Sequence, residues 1–153
     1  MNILKTDLVD VQNDEFWEDI SDLISDAVAK PTLILVKGNW EDIAEYNQLQ
    51  KMLDAVKLSP EQYNIIWLKD GQKAAWHQLR EKLEPKTIFL VGVMPAQLGI
   101  AALFRINQPN NFNDCVWLPT LSISELEQNP TAKGQLWNNG MKPIFVEKKF
   151  GHP

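Results

Sequence analysis

Four short aliphatic runs, separated by stretches of helical period, constrain this chain more than any other feature. Residues 32–36 (TLILV), 64–68 (NIIWL), 87–93 (TIFLVGV) and 115–118 (CVWL) are almost continuously apolar. That is the pattern of strands covered on both faces. Between them, residues 41–57 set Ile43, Tyr46, Met52, Leu53 and Val56 on one side, and residues 72–83 do the same with Ala75, Trp76, Leu79 and Leu83. Strands alternating with helices predict an α/β fold, a three-layer α/β/α arrangement around a mainly parallel four-stranded sheet with right-handed crossovers. A length of 153 residues suits one domain, with residues 1–12 expected as a loose arm. The hydrophobic fraction of 44% is ample for a core.

No apolar run approaches the roughly 20 residues of a membrane helix, and no basic, apolar leader opens the sequence. The single cysteine, Cys115, lies in the fourth aliphatic run and is expected as a small buried core residue. These features predict a cytoplasmic protein.

The net charge of −5 is unevenly placed. Residues 1–30 carry eight acids against Lys5 and Lys30, a balance of −6, and the remainder balances to +1. Nucleic-acid binding calls for a basic stripe, so no direct nucleic-acid contact is expected, and a basic protein surface is the better partner. Asn13 is placed to cap a helix whose first turn holds Asp14, Glu15 and Glu18. Phe16, Ile20, Leu23 and Ile24 recur at helical spacing, with Val28 one turn on. Trp17 falls off this stripe, beside the acidic face. Two roles fit the segment: packing on the protein's own sheet, or partner docking through Phe16, Trp17 and Ile20. Residues 96–106 hold Leu98, Ile100, Ala101, Leu103 and Phe104 with Arg105 as the only charge. This stretch reads as a buried helix or as an apolar patch awaiting a partner, with Leu98 and Phe104 as its anchors.

Several local signals mark element ends. Ser59-Pro60-Glu61-Gln62 is a capping-box pattern with room for one helical turn. Ser124, with Glu127 three residues on, is placed to open the last helical region. Asn129 then caps a helix with Pro130 at its first position. Ala132, Leu136 and Trp137 face inward there, Lys133 and Gln135 face water, and Gly140 stops the helix in a left-handed conformation. Residues 141–153 read as a tail, partly extended at 143–146.

This last stretch carries a resemblance. Pro119, Leu121 and Leu126, followed by Asn129, Pro130, Thr131, Ala132, Lys133, Leu136 and Trp137, are similar to the C-terminal part of the psi subunit of bacterial DNA polymerase III. Residues 32–39 (TLILVKGN) and 58–68 (LSPEQYNIIWL) echo that family upstream, in matching order. The resemblance implies a non-catalytic accessory subunit of the clamp-loader complex, bridging the loader through its N-terminal segment to a chi-like subunit. It also implies a fold similar to that of the uracil-DNA glycosylases.

Catalytic signatures are sparse. His77 and His152 are the two histidines, and no His, Cys or acidic pair has metal-ligand spacing. His77 reads as a surface residue. Gly38, a single glycine after the first strand, makes neither a dinucleotide nor a P-loop pattern, and no serine sits in a nucleophile elbow. Glycosylases of the related fold place an acid or asparagine and a Gly/Pro-rich loop after the first strand, and a His-Pro-Ser-type loop near the end. Here the first strand leads to Lys37-Gly38-Asn39-Trp40, Gly92-Val93-Met94-Pro95 follows the third, and His152-Pro153 lacks the serine. The expectation is no enzyme activity, no cofactor and no metal. A glycosylase-fold enzyme or a nucleotide or small-ligand binder, with a pocket near the strand carboxyl ends, is the alternative.

Overall fold

The computed structural model describes residues 24, 26–39 and 41–148. The expected arm at 1–12, the docking candidates Phe16, Trp17 and Ile20, the Trp40 turn and the end of the tail lie outside the described residues.

The four aliphatic runs form strands, each within two or three residues of its expected span. They are β1 (Thr32–Lys37), β2 (Tyr63–Leu68), β3 (Thr87–Val91) and β5 (Cys115–Thr120). All pair in parallel, with Thr32 opposite both Tyr63 and Thr87, and Thr87 opposite Val116. A fifth strand, β4 (Asn110–Phe112), corrects the four-stranded expectation and pairs antiparallel with β5. Among the described residues the order is β2-β1-β3-β5-β4. The extra strand forms because Asn113 and Asp114 both take positive φ, 56° and 60°, as a two-residue hairpin of the mirror-image type requires. Asn110 fixes the entry: its side chain accepts from Arg105 N–H and donates to Arg105 O.

Alternation along the strands splits the core in two. Ile34, Val36, Phe89, Val91, Val116 and Leu118 face one side, and Leu33, Leu35, Ile88, Leu90, Cys115 and Trp117 the other. Helices cover both faces. On the first side lie α1 (Ile43–Ala55), α3 (Ile123–Glu127), α4 (Pro130–Gln135) and a π-helix (Leu136–Val146); α2 (Trp76–Leu83) covers the second.

The helices depart from expectation in detail. In α1, Asp42 caps Glu45 N–H at 3.2 Å, and Leu49, Met52 and Leu53 are buried. Ile43 (74% exposed) and Tyr46 (42%) are not inward, because at about 100° per residue they rotate off the stripe centred on Leu49 and Val56. Residues 72–74, expected helical, are tied instead to a 3-10 turn at Pro95–Leu98, where Ala74 N–H bonds Gln97 O and Gln97 Nε2 bonds Gln72 O, each at 2.9 Å. The Ser59 box holds as one 3-10 turn, Pro60–Gln62, with Ser59 N–H donating to Gln62 Oε1 at 2.9 Å.

Residues 96–106 are not a helix beyond that second 3-10 turn, because Gly99 turns left-handed at φ 77°. Leu98 (2% exposed) and Ile100 (7%) are buried, and Leu103 is bare to solvent. The cap of α3 is Ser122 with Glu125, not Ser124 with Glu127.

Asn129 and Pro130 open α4 as expected, with Asn129 Oδ1 accepting from Ala132 N–H at 3.1 Å. Gly140 does not stop it. The chain runs on as the π-helix through Val146, burying Leu136, Gly140, Met141, Ile144 and Phe145, so the expected tail is core as far as Phe145. Gly140 is glycine for space: an added Cβ would stand 2.5 Å from Leu118 Cδ1. No described helix is long and apolar enough to cross a membrane.

Candidate functional site

In an open parallel sheet, ligands gather where strand order reverses, outside the strand carboxyl ends. That point lies between β1 and β3, and here it is closely packed. Gly92, at φ 76°, leaves β3 with its α-carbon pressed between two neighbours; a Cβ would fall 2.9 Å from Ser122 Cα and 3.1 Å from Lys37 Cβ. The polar groups nearby are engaged with one another. Glu125 Oε1 accepts from Ser122 N–H at 3.1 Å and from Ser122 Oγ at 2.8 Å. Those two bonds, backbone first, hold the Glu125 carboxyl below the usual range, and Lys37 adds a smaller pull. Lys37 Nζ lies 3.5 Å from Asp70. Buried Thr120 Oγ1 donates to Asn107 Oδ1 at 2.6 Å. Among the described residues, no group of three His, Cys, Asp or Glu side chains is placed to hold a metal ion.

Two other regions are open. A cleft of about 620 Å³ lies at the carboxyl ends of β1 and β2, lined by Gly38, Asn39, Glu41, Trp67, Lys69 and Gln72 among others. Its amides partly serve the loops: Asn39 Oδ1 accepts from Glu41 N–H, and Gln72 Oε1 from Lys69 N–H.

The second region lies across the first helical layer. Trp137 stands between two clefts of about 480 and 430 Å³. Met52, Ala55, Leu136 and Met141 line one, and Ala55, Val56, Leu58, Phe145 and Val146 line the other. The elements involved are α1, α4 and the π-helix. Pro143, which has no N–H, sits inside the wide helix, whose last turn closes with Glu147 N–H on Lys142 O at 2.9 Å. Wide turns of this kind recur at functional sites.

The structure separates the docking candidates drawn from sequence. Leu98 is a core residue on the second face. Phe104 is half-buried on the same side, with its ring 5.3 Å from Trp117 and 5.8 Å from Phe112. Neither reaches the Trp137 clefts, which belong to the first face. Cys115 is buried, with Sγ 3.4 Å from Pro85 O, and burial pushes its thiol up. His77 is exposed. Trp137, expected to face a core, packs its ring against the first-face core as expected, but the ring is only half-covered. Neither a protein-family model nor a curated protein matches this chain.

Proposed function

We propose that this chain is a non-catalytic bridging subunit, similar to the psi subunit of the clamp-loader complex of bacterial DNA polymerase III, on a fold like that of the uracil-DNA glycosylases. The observation that carries the reading is Trp137. It closes the psi-like run from Asn129, lies in the first turn of the π-helix that continues the Asn129-capped α4, and presents a half-buried ring between two apolar clefts. Large aromatics in such settings are what protein interfaces use as anchors. The packed, internally bonded crossing of Lys37, Gly92, Ser122 and Glu125 supports the non-catalytic part of this reading. The partners on this reading are clamp-loader subunits and a chi-like subunit, in the cytoplasm, without direct DNA contact. The test is co-elution of the purified chain with purified clamp-loader subunits, with and without chi. A stoichiometric complex supports the proposal; separate elution at micromolar concentrations refutes it.

The cleft beside Gly38 and Asn39 favours a second reading, a glycosylase-fold enzyme or a nucleotide or small-ligand binder. Uracil release from DNA that is lost in Asn39→Ala, or a melting shift with uracil or nucleotides, would establish it in place of the first.

A further inference from the structure

We infer that the two clefts flanking Trp137 form one groove that takes an acidic amphipathic helix from a partner protein. The inference deepens the bridging role and rests on it, by assigning the chemistry of one docking surface.

The groove has the two parts a helix-binding site needs. Its floor is apolar and adaptable: Met52 and Met141 flank Leu136 and Trp137, and unbranched methionines re-pack around varied side chains. Its rim is basic. Lys51 and Lys133 line one cleft, and Lys57 and Lys148 the other. Glu127 is the one carboxylate among the lining residues, and Lys133 engages it at 2.8 Å. Asp54 and Glu147 lie beside the rim without lining it. A locally basic rim on a chain of net charge −5 selects an acidic partner and rejects a basic one. The length of α1, 13 residues, offers a wall of about 20 Å. That matches an incoming helix of three to four turns, with apolar anchors one turn apart.

The chain's own residues 1–23 are also acidic and hold Phe16 and Ile20 at helical spacing. The described chain enters at Ile24, which belongs to the second face, whereas the groove is on the first. The basic rim assigns a partner's acidic helix as the occupant, and the chain's own segment is an outcome the test must separate.

The test uses the full chain and a fluorescein-labelled synthetic peptide of about four helical turns. The peptide carries leucine or phenylalanine along one face and glutamate along its flanks. Fluorescence anisotropy should show saturable binding that weakens with added salt, as contacts within about one Debye length do. A counterpart with lysine in place of glutamate should bind at least about tenfold more weakly. Lys51→Glu with Lys57→Glu alters two exposed rim residues and should lower affinity about tenfold with an unchanged melting temperature. Trp137→Ala should abolish binding while the chain stays folded. Absence of saturable binding, equal binding of the two peptides, or indifference to the lysine reversals overturns the inference. Reversing Asp14, Glu15, Glu18 and Asp19 to lysine should leave peptide affinity within about twofold. A tenfold gain would instead show that the chain's own segment fills the groove. Clamp-loader co-elution reads the bridging role separately, so failure of the peptide to bind does not decide that question.

Discussion

Two glycines six residues apart in the closing helical stretch should respond to alanine with opposite signs. At Gly140 a new Cβ would lie 2.5 Å from Leu118 Cδ1, 3.3 Å from Cδ2 and 3.4 Å from Asn107 O. Leu118 is fully buried on β5, so its methyl groups have little room to retreat. Overpacking of this kind costs about 1–3 kcal/mol. The greater helix propensity of alanine offsets at most about 1 kcal/mol of that. The net expectation for Gly140→Ala is a loss of about 1–2 kcal/mol. At Gly134, by contrast, a Cβ meets nothing within 4 Å. Gly134→Ala should therefore stabilise by about 0.5–1 kcal/mol. Urea melts read both from the midpoint at constant slope, and in thermal scans each kcal/mol shifts a chain of this size by about 2–4 °C. A third variant isolates the cause. Leu118→Val should recover part of the Gly140→Ala loss, because the two substitutions share one contact. If Gly140→Ala stabilises as much as Gly134→Ala, or if Leu118→Val adds to its loss independently, the packing argument is wrong.

Asn129→Ala should cost about 1 kcal/mol in the same melts, through loss of the bond to Ala132 N–H. Trp117→Ala should cost about 3–5 kcal/mol, since its ring is fully buried, sits 4.7 Å from Trp76 and donates to Phe112 O; half-buried Trp137→Ala should cost less. The Glu125 carboxyl titrates below its ordinary value of 4.5 in the folded chain. Its contribution is therefore complete above that value and is lost as pH falls through the lower folded-state value. Glu125→Gln should flatten that part of the acid dependence of the melting temperature, and an unchanged acid limb would remove Glu125 as its source.

The parallel sheet was legible because an aliphatic run buried on both faces leaves few alternatives, and β1, β2, β3 and β5 appear where those runs lie. β4 was not, because Asn110-Asn111-Phe112 has no strand-forming composition and owes its pairing to the turn at Asn113-Asp114. The helix start at Ser122 was ambiguous for a different reason. Ser122-x-x-Glu125 and Ser124-x-x-Glu127 overlap and carry the same capping chemistry, and only the first turns Ile123 and Leu126 both inward. Gly140 and Pro143 look like terminators when only α-helical geometry is considered. The wide helix takes both, burying residues 136, 140, 141, 144 and 145 along one side. The groove was the least legible feature. Met52 and Ala55 are far from Trp137 and Met141 in sequence, and each alone looks like ordinary core.

The two borders of the sheet are defended unequally. A parallel strand at a border offers unpaired amides to any passing extended chain. The three-residue antiparallel β4 closes one side of β5, too short to recruit another strand well. On the opposite border, β2 has no strand beyond it among the described residues, and a 2.9 Å bond from Asn64 Nδ2 to Val28 O guards its start. Ile65, Ile66 and Trp67 follow on that border without a comparable described bond to a flanking segment. Accidental strand addition under destabilising conditions should therefore begin at β2, and a lysine replacing partly exposed Ile65 would be the substitution to suppress it.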